Sequence, residues 1–178
     1  MKPGVFLVFS LIFCFIACKT QQKSTEEEGL NKISIANCPE DGTCSFEVLN
    51  QKSLVIKTDA TGAQYPQVTK GKHKVLKFEY KRNQDPQIAD DEYTEVVYAQ
   101  IEPGQKKLDL NDDQLKQAKL LFGRLCFCKG QAGYFPVREG HFKVSSNKDE
   151  SITYSFNIEL TDVPHVLTEV SVTHSHKK

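Results

Sequence analysis

From Ile152 to Leu160 apolar and polar residues alternate without a break. Ile152, Tyr154, Phe156, Ile158 and Leu160 fall on one side, and Thr153, Ser155, Asn157 and Glu159 on the other. A period of two of this kind predicts a strand with one buried and one wet face, as in an antiparallel sheet. The same alternation runs through residues 72–82, where Leu76, Phe78 and Tyr80 oppose Lys77, Glu79 and Lys81. β-Branched and aromatic runs predict further strands at 33–36, 44–49, 53–58, 93–101, 124–128, 134–137, 141–144 and 166–173. Turn residues separate them: Pro39 and Asp41-Gly42, residues 59–62, Pro103-Gly104, Glu139-Gly140 and Pro164. The first two strands are expected to form a hairpin around NCPEDGT, and RNQDPQIADDE an exposed loop.

One segment departs from this pattern. Within residues 108–134, Leu115, Ala118, Lys119 and Phe122 recur at helical spacing. Asn111 is a good N-cap, Gln114 stands where a capping box needs it, and Asp112 and Asp113 complement the helix dipole. Gly123 is the expected stop. About ten short strands, frequent turns and one helix predict a mainly β fold: an antiparallel β-sandwich with the helix as crossover between its sheets. A closed β-barrel is the alternative, and periodicity does not separate the two.

The first residues do not fit a domain. Lys2 and the apolar run at 5–17, VFLVFSLIFCFIA, match a signal-peptide core and fall short of the roughly 20 residues that span a bilayer. Phe15-Ile16-Ala17-Cys18 resembles a bacterial lipobox, whose cysteine becomes the acylated first residue. Phe15 stands where an ordinary signal-peptidase site wants a small side chain. Cys18 is therefore the expected lipidation site, with a membrane partner through acyl chains that contribute about 0.8 kcal/mol per buried CH₂. Lys19, not Asp, follows it, which resembles the pattern that permits transport to the outer membrane. Residues 18–31 read as the lipidated cysteine and a polar tether, and 32–178 as a single domain.

Lys plus Arg and Asp plus Glu both number 23, so no long-range attraction recruits nucleic acid or an anionic surface. No G-x-S-x-G elbow or P-loop occurs, and no cofactor is implied. Four cysteines remain beyond Cys18: Cys38, Cys44, Cys126 and Cys128. In an exported chain an even number reads first as disulfides. Neighbours i and i+2 on an extended strand stand roughly 6.5–7 Å apart, at the edge of disulfide geometry. The expectation is therefore two bridges between the 38/44 turn and the 126/128 strand. A four-thiolate metal site fits the C-x5-C and C-x-C spacings poorly. A redox role for Cys126 and Cys128 would lack the usual βαβ surroundings.

Weaker signals have blander readings. His73, His141 and His165 are scattered; His174 and His176 would share a strand face but read as tail histidines. Asp90-Asp91-Glu92 lacks the spaced ligands of a calcium loop. Tyr134 and Phe135 read as half-buried strand residues and not as a ligand platform.

Lipobox, polar tether, NCPEDGTCSFEVL and LLFGRLCFCKGQAGYF together look like small uncharacterised lipoproteins of Bacteroidota. The resemblance imports no activity. The functional expectation is a lipid-anchored envelope module that is not catalytic and binds a protein or glycan. The alternative is an envelope metal-binding or thiol-redox protein using Cys126 and Cys128.

Overall fold

The computed structural model describes residues 32–175. The expectations for residues 1–17, for Cys18 and the tether at 18–31, and for His176 lie outside them. The chain forms two five-stranded antiparallel sheets, a sandwich-like arrangement and not a closed barrel. Its strands are β1 (Lys32–Ala36), β2 (Gly42–Thr58), β3 (Gln64–Arg82), β4 (Tyr93–Ile101), β5 (Leu108–Asn111), β6 (Leu121–Cys126), β7 (Gly133–Pro136), β8 (Glu139–Ser146), β9 (Ile152–Glu159) and β10 (Glu169–Ser175). One sheet runs β1-β10-β9-β8-β5 and the other β2-β3-β4-β6-β7.

The alternating segments face each other as their patterns require. Ile152, Tyr154, Phe156 and Ile158 of β9 are buried against Leu76, Phe78 and Tyr80 of β3 in one core. Phe46 meets Tyr154 across the two sheets at 5.3 Å between ring centroids, and Phe142 stacks on Phe156 at 4.8 Å. Aromatic pairs at these separations add to the area they bury.

The first hairpin is a correction. β1 pairs with β10, whereas β2 pairs with β3, so residues 37–41 carry the chain from one sheet to the other. The runs at 44–49 and 53–58 are one strand, bent where the register shifts between Asn50 and Ser53 and Gln51 adopts φ 54°. A bulge of this kind inserts a residue and re-aims the strand. The bend folds the far half of the β2–β3 hairpin over the outer side of its own sheet, where Gln64 bridges Tyr134 of β7. Leu54, Val75, Val96 and Leu121 are buried apart from the main core. Leu54 is tied to the same place, its N–H donating to Gln100 Oε1 at 2.8 Å and its carbonyl accepting from Lys119 Nζ at 2.7 Å.

The helix is the expected crossover, joining β5 of one sheet to β6 of the other, but it is shorter and tighter than its spacing predicts. It is a seven-residue 3₁₀ helix, Asp112–Ala118. Leu115 and Ala118, three apart, are buried and share a face in a threefold helix. Gln114 Oε1 accepts the Asn111 N–H at 3.1 Å, as a capping box requires. Lys119, at φ 47°, ends the helix; Phe122 and Gly123 belong to β6. Gly123 is glycine for another reason: a Cβ there would stand 2.5 Å from the Tyr134 ring.

Candidate functional site

β6 points Phe122, Arg124 and Cys126 inward and ends at Cys126, opposite Tyr93 of β4. The backbone then turns. Gln131 N–H donates to the Cys128 carbonyl at 3.0 Å, with Gly130 at φ 72° supplying the reversal. Arg124, only 8% exposed, clasps the far side of this turn. Its Nη1 donates to both the Gln131 carbonyl and Gln131 Oε1 at 3.2 Å.

Cys126 and Cys128 are bonded to each other with their Cα atoms 5.2 Å apart, and Cys38 to Cys44 at 5.9 Å. This overturns the expected cross-connection. The wide i, i+2 spacing belongs to an extended strand; β6 stops at Cys126, and the turn contracts the spacing into disulfide range. The two pairs do share one end of a sheet. Cys44 opposes Tyr80, Tyr80 opposes Glu95, and Glu95 opposes Arg124. Two strands therefore separate Cys44 from β6, roughly 14 Å at the usual strand spacing, which no disulfide spans.

The tip carries Phe127, 84% exposed and the most exposed of the large hydrophobics among the described residues. Cys126, Phe127, Cys128 and Lys129 line an open cleft of about 400 Å³. Cys126 packs against the edge of the core, and Lys129 supplies the cleft's only formal charge. Paired as they are, the four cysteines offer no thiolate to a metal. Among the described residues no group of three or more His, Cys, Asp or Glu is placed to hold one.

Beneath the tip lies a buried polar chain that periodicity did not reveal. Glu95 has no exposed surface. Its two oxygens accept the N–H groups of Val166 and Leu167, each at 2.7 Å. Tyr93 Oη donates to Glu95 and accepts from Arg124 Nε at 3.3 Å. The Arg82 guanidinium lies 4.1 Å from the Tyr93 ring centre. Burial first, and then donation to Glu95, raises the Tyr93 pKa. A parallel tie holds the Cys38–Cys44 turn: Tyr80 Oη donates to Asp41 Oδ1 at 2.8 Å, and Asn83 N–H to the Asp41 carbonyl at 2.8 Å. The signal in the sequence was a lone acid and a lone base, Glu95 and Arg124, among apolar strand neighbours.

The remaining candidates are dispersed. His73 Nδ1 lies 2.9 Å from Ser53 Oγ, His141 Nε2 2.7 Å from Asp109 Oδ1, and His165 Nδ1 3.2 Å from the Val163 carbonyl. His174 is buried on β10, which corrects its reading as a frayed tail residue. Asp91 closes its own loop by accepting the Asp85 N–H at 2.9 Å. Tyr134 and Phe135 are partly buried on β7. No protein-family model matches the chain, nor does any curated protein or solved structure. Among the described residues no helix is long and apolar enough to cross a membrane.

Proposed function

We propose that this chain is an envelope lipoprotein, acylated on Cys18, anchored in the outer membrane and presenting residues 32–178 on a polar tether. The domain is a binding module without catalytic chemistry, and its contact point for a protein or glycan is the tip at Cys126–Phe127–Cys128. The observation that supports this reading is Phe127, a large aromatic held in water at 84% exposure by a covalent ring. Aromatic side chains anchor interfaces, and a contact ordered before binding loses less conformational entropy when it binds.

Growth with an alkynyl fatty acid tests the anchor: the native chain takes up label and sediments with membranes, while Cys18→Ser does neither. An unlabelled native chain overturns the anchor. Retention of the purified, detergent-solubilised protein on outer-membrane proteins or on envelope glycan tests the tip. Phe127→Ser is expected to lose retention at least tenfold, and unchanged retention removes the tip from the proposal.

A further inference from the structure

We propose that Cys126–Cys128 is a thiol–disulfide exchange site whose substrate is a dithiol reductant. This goes beyond the binding role and is read out by thiol counting, independently of anchoring or retention. The two bridges among the described residues are placed differently. Cys38–Cys44 closes the passage between the sheets, and its ring contains Asp41, which is held from outside by Tyr80. Cys126–Cys128 encloses a single residue, so it removes little freedom from the unfolded chain. Both of its flanks are held without it: Cys126 sits in the ladder with β4, and Cys128 and Gln131 are fixed by their turn bond and by Arg124. The bridge can open while the backbone on either side of Phe127 stays anchored.

Access and charge agree. An incoming thiolate must approach a disulfide sulfur directly, and the cleft at this bridge is open to solvent. Lys129, the one charged residue lining it, favours both an arriving and a departing thiolate. Both cysteines are partly buried, but the two sulfurs are not equivalent, because Cys126 packs against the core and Cys128 is not among the residues packed on it.

The donor thiolate attacks Cys128 Sγ. The Cys126–Cys128 S–S bond breaks, its electron pair stays on Cys126, and that thiolate takes a proton from water. The donor's second thiol, once deprotonated, attacks its own sulfur in the mixed disulfide and releases Cys128 as thiolate, which is protonated in turn. Two electrons and two protons leave the donor, which becomes a disulfide, and reappear in the Cys126 and Cys128 thiols.

The test titrates the full chain with dithiothreitol, followed by acid quench, alkylation and peptide mass mapping. Cys126–Cys128 is expected to open at a reductant concentration at least tenfold below that for Cys38–Cys44, with circular dichroism unchanged. In addition, Cys126→Ser incubated with oxidised glutathione is expected to form a glutathione adduct on Cys128. Simultaneous opening of both bridges, or survival of Cys126–Cys128 after Cys38–Cys44 is reduced, overturns the proposal in the native chain even if the variant fails to fold.

Discussion

Glu95, a strand residue with no exposed surface, accepts the backbone N–H of Leu167 at 2.7 Å from seventy-two positions away. Its other oxygen takes the N–H of Val166. A carboxylate of one sheet thereby holds the segment that leads into β10 of the other. Each oxygen serves a different N–H, so no neutral isostere reproduces both bonds. Glu95→Ala leaves two donors and the Tyr93 hydroxyl without this acceptor, and an orphaned buried polar group costs about 1–3 kcal/mol. The expected loss is about 3 kcal/mol or more by urea denaturation, with Glu95→Gln intermediate. A loss below that of ordinary surface substitutions in Glu95→Ala would show that the clasp does not hold the loop.

The disulfides separate in the same assay. Bridges of the expected cross-connection would have closed loops of eighty or more residues and constrained the unfolded chain by about 4–5 kcal/mol. The seven-residue ring of Cys38–Cys44 is worth about 2 kcal/mol on the same argument, and the smaller ring of Cys126–Cys128 less. Cys38→Ser/Cys44→Ser is therefore expected to destabilise the domain more than Cys126→Ser/Cys128→Ser. Non-reducing peptide mapping checks the connectivity itself: a fragment joining residues 38 or 44 to 126 or 128 would refute it.

Strand existence was legible in the strongly apolar or alternating runs: residues 93–101 and 152–159 are strands in both sequence and structure. Pairing was not, because β1 and β2 are close in sequence but belong to different sheets. The far half of β3, through Gln64–Lys70, shows no strand signal in the sequence because Pro66 and polar residues interrupt its pattern. The helix is legible in its capping residues and its end is not, since Phe122 keeps helical spacing while lying in β6. All four cysteines, Cys38, Cys44, Cys126 and Cys128, were legible as disulfide residues, but their partners depended on where β6 ends. Glu95, Tyr93 and Arg124 escaped notice because alternation identifies which residues go inside without saying that two of them carry charge.

Gly123 makes the outer packing of the sheet testable. Its missing side chain lets the Tyr134 ring lie across β6, with a Cβ position only 2.5 Å from that ring. Gly123→Ala must displace Tyr134, and overpacking of this kind typically costs about 1–3 kcal/mol. Tyr134→Ala creates room at its own cost. The double variant is expected to be more stable than the sum of the two losses predicts, because one change removes the obstacle to the other. Additive losses would place the clash elsewhere.

The tyrosines give the domain a defined alkaline limit. The Tyr80 pKa is raised from 10.0 to about 12, first by burial and then by its hydrogen bond to Asp41. Burial is also the first cause of the upward shifts of Tyr93, Tyr98, Tyr134 and Tyr154. A phenol whose folded pKa exceeds its unfolded value keeps its proton longer in the folded state. Its contribution is fully present below the unfolded pKa and is lost as pH rises through the folded one. For Tyr80 that window runs from 10.0 to about 12, so stability is expected to hold through neutral and mildly alkaline pH and to fall steeply within it. Tyr80→Phe forfeits the Asp41 bond, about 1 kcal/mol at neutral pH, but removes one late-ionising phenol and flattens the alkaline decline. Tyrosinate absorbance followed alongside urea midpoints checks both parts. A late ionisation phase unchanged by Tyr80→Phe would show that Tyr80 is not the group that resists deprotonation.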